Sequence, residues 1–283
     1  MPEEFPRDHI LYEPEKRDTF PAFTSHAAII ANRTSWDEPQ LFMQSDHIIE
    51  DRESQLVFNQ TLIKIAQTLI DPESTFDVIA LAVKPLYPST QYGYFELTEP
   101  DLVNSFTEVV PVKRFKEKPN YETAEHFIQT GRFLWNVSPS CFTFRRLMQN
   151  VQIHQPSATP ILNEFAESGL IKPELFAKLP KTSFDFGLVE KLEKIGVMGM
   201  RISWEDIGNW EVVKNYLTFL GSEGPHFEVG GINNAVKLAD NSRKVAFVGV
   251  SNLLLVDSPE GILVIDPRFS SEIKKVAEYF EKL

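Results

Sequence analysis

The sequence predicts an α/β fold with a mainly parallel sheet, followed by a small unit of short strands. Three observations predict it. The first half alternates strand-like and helix-like runs of the length that crossover units need. Its longer runs carry apolar residues at helical spacing. After the glycine-rich stretch from Gly221 to Gly231 the texture changes to four short strand-like runs with turns between them.

In chain order, "HILYEP" reads as a short strand and "PAFTSHAAIIANR" as a helix opened by Pro21. "PQLFMQ" is a second strand, "SQLVFNQTLIKIAQTLI" an amphipathic helix and "FDVIALAV" a buried strand. "GYFELT" and "EVVPVKRFKEK" follow with no helix between them, an excursion of the sheet. From Tyr121 to Leu192 the reading is mostly helical, broken at Pro139, Pro156 and Pro173. "VMGMRIS" is a further strand, and a helix follows "WEDIGNW". "NAVKLA", "KVAFVGV", "NLLLVDS" and "GILVID" are the closing strands, and "SSEIKKVAEYFEKL" is a final helix. The expected division is 1–222 for the α/β domain and 223–283 for a small β-solenoid-like domain with its closing helix.

Several strand ends carry residues suited to chemistry. Asp46 stands just past "LFMQ", at the edge where open α/β sheets bind ligands, and a carboxylate there either holds Mg²⁺ or caps a turn. Asp206 in "ISWEDIGNW" has the same position, with Gly208 behind it. In "KEKP", Lys118 fits a phosphate contact or a solvated turn. Gly93 in "YGYFE" fits a close ligand approach or a strand bulge. The Asn136 amide suits sugar hydroxyls. Asp185 is either a hydroxyl acceptor or a charge at a helix start capped by Ser183, with Glu190 and Lys191 nearby.

Composition excludes other classes. A chain of 283 residues with 42% hydrophobic and 24% charged residues is globular, and its net charge of −12 repels nucleic acid and anionic membranes. An anionic substrate must therefore be drawn in by a local basic site. Cys141 is the one cysteine, so no internal disulfide forms, and a cytoplasmic setting is expected. "MPEEFPRDHI" is not a signal peptide, and no run approaches the roughly 20 apolar residues of a membrane span. The six histidines form no HxxxH pair, and CxxC, GxSxG, Walker and GxGxxG motifs do not occur.

Taken in order, "ILYEPEKRDTFPA", "SDHIIED", "TQYGYFEL", "FKEKPNYETAEHFIQTGRFLWN", "FAKLPKTSFDFGLVEK", "WEDIGNW" and "NLLLVDSPEGILV" resemble the bacterial mannose-1-phosphate guanylyltransferases of the sugar-phosphate nucleotidyltransferase superfamily. The resemblance implies a Rossmann-like nucleotidyltransferase sheet with a small β-helix-like C-terminal domain. It implies the reaction of GTP with mannose 1-phosphate to give GDP-mannose and pyrophosphate. By the same resemblance Asp46 and Asp206 hold Mg²⁺ and, with Lys118, form the catalytic set. Gly93, Glu117, Asn136 and Asp185 line the sugar site, and Glu13, Arg17 and Thr19 lie near the nucleotide. The family's glycine-rich opening loop has no counterpart before Ile10. The expectation is therefore an N-terminally truncated sheet, incomplete for catalysis alone, with a homo-oligomer or a partner chain supplying the missing segment. The rival expectations are a non-catalytic nucleotide-sugar-binding or regulatory homologue and an oligomerisation module. Asp18 and Phe20 replace the family's usual Asn and Ala, and Gln44-Ser45 replace Pro-Ala.

Overall fold

The computed structural model describes residues 6–49, 51–99, 107–208, 210–219 and 224–280. The chain packs as two compact units, one of residues 1–44 and 51–203, the other of residues 45–50 and 204–283. The boundary expected between 222 and 223 lies outside the described residues.

The elements in chain order begin with α1 (Thr19–Arg33), β1 (Pro39–Phe42), β2 (His47–Ile49), α2 (Arg52–Ile70) and β3 (Val78–Val83). There follow β4 (Tyr94–Leu97), β5 (Val110–Lys116), α3 (Tyr121–Thr130), β6 (Phe133–Thr143), α4 (Phe144–His154) and α5 (Thr159–Ser168). Next come two short helices, α6 (Pro173–Phe176) and α7 (Phe184–Gly187), then β7 (Ile195–Met200), β8 (Trp204–Asp206) and α8 (Trp210–Phe219). The last are β9 (His226–Val229), β10 (Ala235–Lys237), β11 (Val245–Val248), β12 (Leu254–Ser258), β13 (Gly261–Ile265) and α9 (Ile273–Phe280).

The first unit is built on a six-stranded sheet in the order β1-β6-β3-β7-β5-β4, with β4 also pairing to the start of β6. Its core strands β3 and β7 are buried along their whole length, as their unbroken apolar runs require. Val78, Ala80 and Ala82 of β3 join a cluster with Phe20, Ala28 and Phe165 of α1 and α5. Ile79 and Leu81 point the other way and are equally buried, on the strand against which α2 packs with Ile65 and Leu69. Helices thus cover both faces, the mixed α/β class that the alternating runs predict.

Four sequence expectations need correction. The sheet is mixed, since only β3 and β7 pair in parallel among its described strands. The cause is the β4–β5 hairpin, which reverses the chain; α3 then carries it across to β6, which keeps the direction of β5 and opposes β3. "HILYEP" forms no strand: His9 and Ile10 donate backward to Pro6 and Arg7 in a local turn. Finally, the stretch expected to be helical contains β6, eleven residues long. Pro139 is no helix break but a strand residue, lying where the β3 pairing shifts between Ala80 and Ala82, with Ser138 beside it at φ 73°. An irregularity of that kind is where a ladder tolerates proline, because the missing N–H has no partner to lose. Helix α1 also starts earlier than expected, at Thr19, with the Asp18 carboxylate accepting from the Thr19 N–H at 2.8 Å. Pro21 then falls in the first turn, where its lack of a donor is harmless.

In the second unit β2 pairs antiparallel with β8. β9 pairs in parallel with β11, and β10 with β12, residue 226 opposite 245 and residue 235 opposite 254. The same 19-residue spacing recurs in the Asn233–Asn252 side-chain hydrogen bond of 2.8 Å. Gly230 and Gly249, also one repeat apart, both take left-handed φ, 65° and 66°. β13 then returns antiparallel on β12. Trp210, Val213 and Leu217 of α8 pack on Ala235, Leu254 and Ile265, so α8 shares the core of this unit. Buried Asn234 bridges the repeat: its Nδ2 donates to Val250 O at 3.0 Å and its Oδ1 accepts from Leu253 N at 2.9 Å. Replacing it by alanine strands both backbone groups, at a cost of about 2 kcal/mol. Asn234→Ala should therefore expose the Leu253 amide to fast hydrogen exchange while β3 amides keep their protection; unchanged exchange at Leu253 would refute the bridging role.

Candidate functional site

Five residues expected to line a sugar-phosphate site, far apart in sequence, come together in the first unit. Gly93, just before β4, accepts from the Asn136 N–H of β6 at 2.8 Å through its carbonyl. A Cβ on Gly93 would stand 2.6 Å from Glu117 Oε2 and 2.5 Å from the Phe115 ring, so only glycine lets that carboxylate sit against the backbone. Glu117 follows the end of β5 and is 8% exposed. Burial first, and then the negative charge of Asp185, push its carboxyl up to about 7, against the pull of Lys118. Lys118 Nζ lies 3.5 Å from Glu117 Oε1, while its side chain remains half-exposed and its backbone takes a left-handed φ of 41°. Asn136 Nδ2 lies 3.3 Å from Asp185 Oδ1, and Asn136 Oδ1 accepts from Ser138 N at 3.0 Å.

Asp185 occupies the first turn of α7, whose N-cap is Ser183 as expected, with the Ser183 hydroxyl accepting from Phe186 N. Burial is the largest cause pushing its carboxyl up to about 6; its own backbone N–H and Lys118 oppose the rise. The residue that sequence reasoning leaves without a role is Glu190. Its Oε1 accepts from Glu117 N at 2.8 Å and from Lys116 Nζ at 3.2 Å, clamping the end of β5. Its proximity to Asp185 in sequence is the available signal. The result is an exposed ammonium beside an amide and two carboxyls whose pKa values burial raises toward neutrality. Such groups donate to and accept from neutral hydroxyls, and the ammonium suits one anionic group.

The segment expected near a nucleotide is tied to the loop before Asp185. Arg17 donates to Leu179 O through Nη2 at 2.7 Å and Nε at 3.2 Å, and to Glu15 through Nη1 at 2.9 Å. Thr19 Oγ1 accepts from Phe184 N at 2.8 Å, and Phe20 N donates to Thr182 O at 3.0 Å. Glu13 is exposed, with its carboxyl raised by partial burial.

The second unit holds the two aspartates expected to bind metal, and an imidazole with them. One donor atom each from Asp46, His47 and Asp206 lies within 4.8 Å of the others. The β2–β8 register sets His47 directly opposite Asp206. Asp46 precedes β2 in a bend, and its carbonyl accepts from Ile207 N at 3.0 Å, joining the two loops. Gly208 N donates to Asp206 Oδ1 at 2.7 Å, and a Cβ on Gly208 would stand 2.8 Å from that oxygen. Burial lowers the His47 pKa, opposed by the charges of Asp206 and Asp46. Two carboxylates and one imidazole at this spacing fit a divalent cation.

Comparison with known proteins follows the same lines. The family model described as "Nucleotidyl transferase" matches residues 4–221. The chain belongs to the nucleotidyl transferase family. A mannose-1-phosphate guanylyltransferase of Klebsiella pneumoniae is 28% identical over 291 residues, covering 97% of this chain and 58% of that protein. The xanthan biosynthesis protein XanB of Xanthomonas campestris pv. campestris is 27% identical over 275 residues, covering 94% of this chain and 56% of its own length. This chain thus spans little more than half the length of the curated relatives it matches. Among solved structures, a mannose-1-phosphate geranyltransferase from Thermus thermophilus superposes with a TM-score of 0.76 at 26% identity, over 96% of this chain and 77% of that one. A mannose-6-phosphate isomerase from Helicobacter pylori shares the fold at a TM-score of 0.53 and 20% identity, over 69% of this chain and 72% of that one. No helix among the described residues is long and apolar enough to cross a membrane.

The raised carboxyls make a stability prediction. A carboxyl with a raised folded-state pKa holds its proton more tightly folded than unfolded. That contribution is complete below the ordinary carboxylate range and is lost as pH rises through about 6 for Asp185 and about 7 for Glu117. Glu117→Gln removes the larger part of it and should be more stable than the parent at pH 8, on the order of 3 kcal/mol, but not at pH 4. Urea melts across that range check it, and parallel pH profiles for the two proteins would refute it.

Proposed function

We propose that this chain transfers a guanylyl group from GTP to mannose 1-phosphate, giving GDP-mannose and pyrophosphate. The observation that carries the reading is the convergence of Gly93, Glu117, Lys118, Asn136 and Asp185 at one place in the first unit. In this reading Glu117, Asp185 and Asn136 bind the sugar hydroxyls, with Gly93 giving the backbone room to approach. Lys118 meets the sugar phosphate and keeps its nucleophilic oxygen in place. That oxygen attacks the α-phosphorus of GTP; the new P–O bond forms as the bond to the β-phosphate oxygen breaks and pyrophosphate leaves. Glu13, Arg17 and Thr19 lie toward the nucleotide. Asp46 and Asp206 hold Mg²⁺, which when bound neutralises phosphate charge and orients the leaving group.

The relatives' printed names support guanine and mannose as the base and sugar, and a cytoplasmic setting is part of the same reading. The full chain incubated with Mg²⁺, GTP and mannose 1-phosphate should release pyrophosphate, and faster than with glucose 1-phosphate or with ATP. Asp206→Asn should lower that rate at least 100-fold, the scale on which loss of one preorganised charge-stabilising group acts. A rate within a few-fold of the parent would sink the metal role. GDP-mannose binding without any pyrophosphate release would sink the enzymatic reading in favour of a binding protein.

A further inference from the structure

We propose that His47 is a third ligand of the cation held by Asp46 and Asp206, and that its imidazole tilts the site from Mg²⁺ toward Mn²⁺ or Co²⁺. This rests on the metal reading above and adds a nitrogen donor that the reading does not use.

The geometry places the ring beside both carboxylates. His47 and Asp206 are partners across an antiparallel pair, so their side chains leave the ribbon on the same face, within direct reach of each other. Trp204, two residues before Asp206 and therefore on that face too, meets the imidazole edge-on with ring centroids 5.1 Å apart. The indole thus restricts the ring plane. Successive residues of a strand point to opposite faces, which would separate Asp46 from His47. Asp46 escapes that rule because it lies in the bend before β2, its carbonyl tied to Ile207 N at 3.0 Å. Donor atoms of the three residues accordingly fall within 4.8 Å of one another.

The chemistry of that donor set differs from an all-oxygen one. Mg²⁺ is a hard ion that prefers carboxylates, phosphates and water and gains little from nitrogen. Mn²⁺ and Co²⁺ accept imidazole together with carboxylates, and affinity at a site with nitrogen rises along the first-row series. Three protein donors also leave coordination positions for phosphate oxygens.

Pulsed EPR on the full chain loaded with Mn²⁺, with and without GTP, tests the assignment directly. A bound imidazole adds a ¹⁴N coupling to the Mn²⁺ signal, and that coupling should be present in the parent and absent in His47→Gln. The substitution should weaken Mn²⁺ binding by about 10-fold or more, since loss of an outer-shell partner alone costs that much, and should leave Mg²⁺ binding, measured by competition, nearly unchanged. Thermal melts of the variant establish that it is folded. Mn²⁺ bound without ¹⁴N coupling, or unchanged affinities in His47→Gln, would overturn the ligand role while leaving the two-aspartate site standing. Failure to bind either ion, with or without GTP, would overturn both.

Discussion

Everything in the first unit's site depends on one constraint: a carboxylate, Glu117, is packed where charge is expensive. Three devices hold it there. Gly93 has no side chain, so the carboxylate can lie where a Cβ would collide with it at 2.6 Å. Glu190 fixes the Glu117 backbone N–H at 2.8 Å, and the positive-φ turn at Lys118 brings its ammonium to 3.5 Å. A lysine in that conformation is strained by roughly 1 kcal/mol relative to an ordinary turn. The ammonium is the compensation, since an unpaired buried carboxylate would cost more than the turn does. Burial still wins over the ammonium, which is why the carboxyl is pushed up to about 7 rather than down.

The sheet's mixed direction is what assembles this arrangement. The β4–β5 hairpin turns the chain back, so Gly93 at the start of β4 and Glu117 after β5 are near neighbours. Helix α3 then returns the chain to lay β6 alongside β4, with Tyr94 opposite Trp135, and Asn136 reaches the Gly93 carbonyl. A purely parallel sheet gathers only like ends at each edge, carboxyl ends at one and amino ends at the other. Here an amino end and a carboxyl end meet, and the helix carrying Asp185 closes over them through its bond to Asn136.

Much of this is legible in the sequence, and what is not has local causes. The β3 and β7 runs and the amphipathic α2 announce themselves by periodicity, because each buries a continuous face. The site residues are readable only as an ordered set of short segments, since every one of them taken alone fits a turn, a cap or a bulge. β6 is hidden because proline and serine interrupt its pattern. Pro139 tolerates the strand only through a shift in pairing with β3, a partner more than fifty residues earlier. Strand direction is hidden for a similar reason: it follows from which strand lies between β5 and β6, and no local pattern encodes that. His47 escapes a sequence reading because adjacent residues of a strand normally diverge. The bend at Asp46 that lets both face Asp206 is a tertiary fact, set by the Asp46 carbonyl bond to Ile207.

The two clusters use the same side chain for opposite ends. In the first unit, burial raises the carboxyls of Glu117 and Asp185 to about 7 and about 6, so their charge is costly there and hydrogen bonding to neutral partners is favoured. In the second, Asp46 is exposed and Asp206 half-buried, arranged about an imidazole, a donor set that fits a divalent cation. The net charge of −12 is the electrostatic background for both clusters. A chain with so negative a field attracts phosphates only where it concentrates positive charge, and among the described residues Lys118 is the one ammonium paired to the buried carboxylate pocket. One lysine offsets one phosphate charge, whereas a nucleoside triphosphate brings several. A divalent cation between Asp46 and Asp206 would add two positive charges against their two carboxylates and remove the repulsion between them.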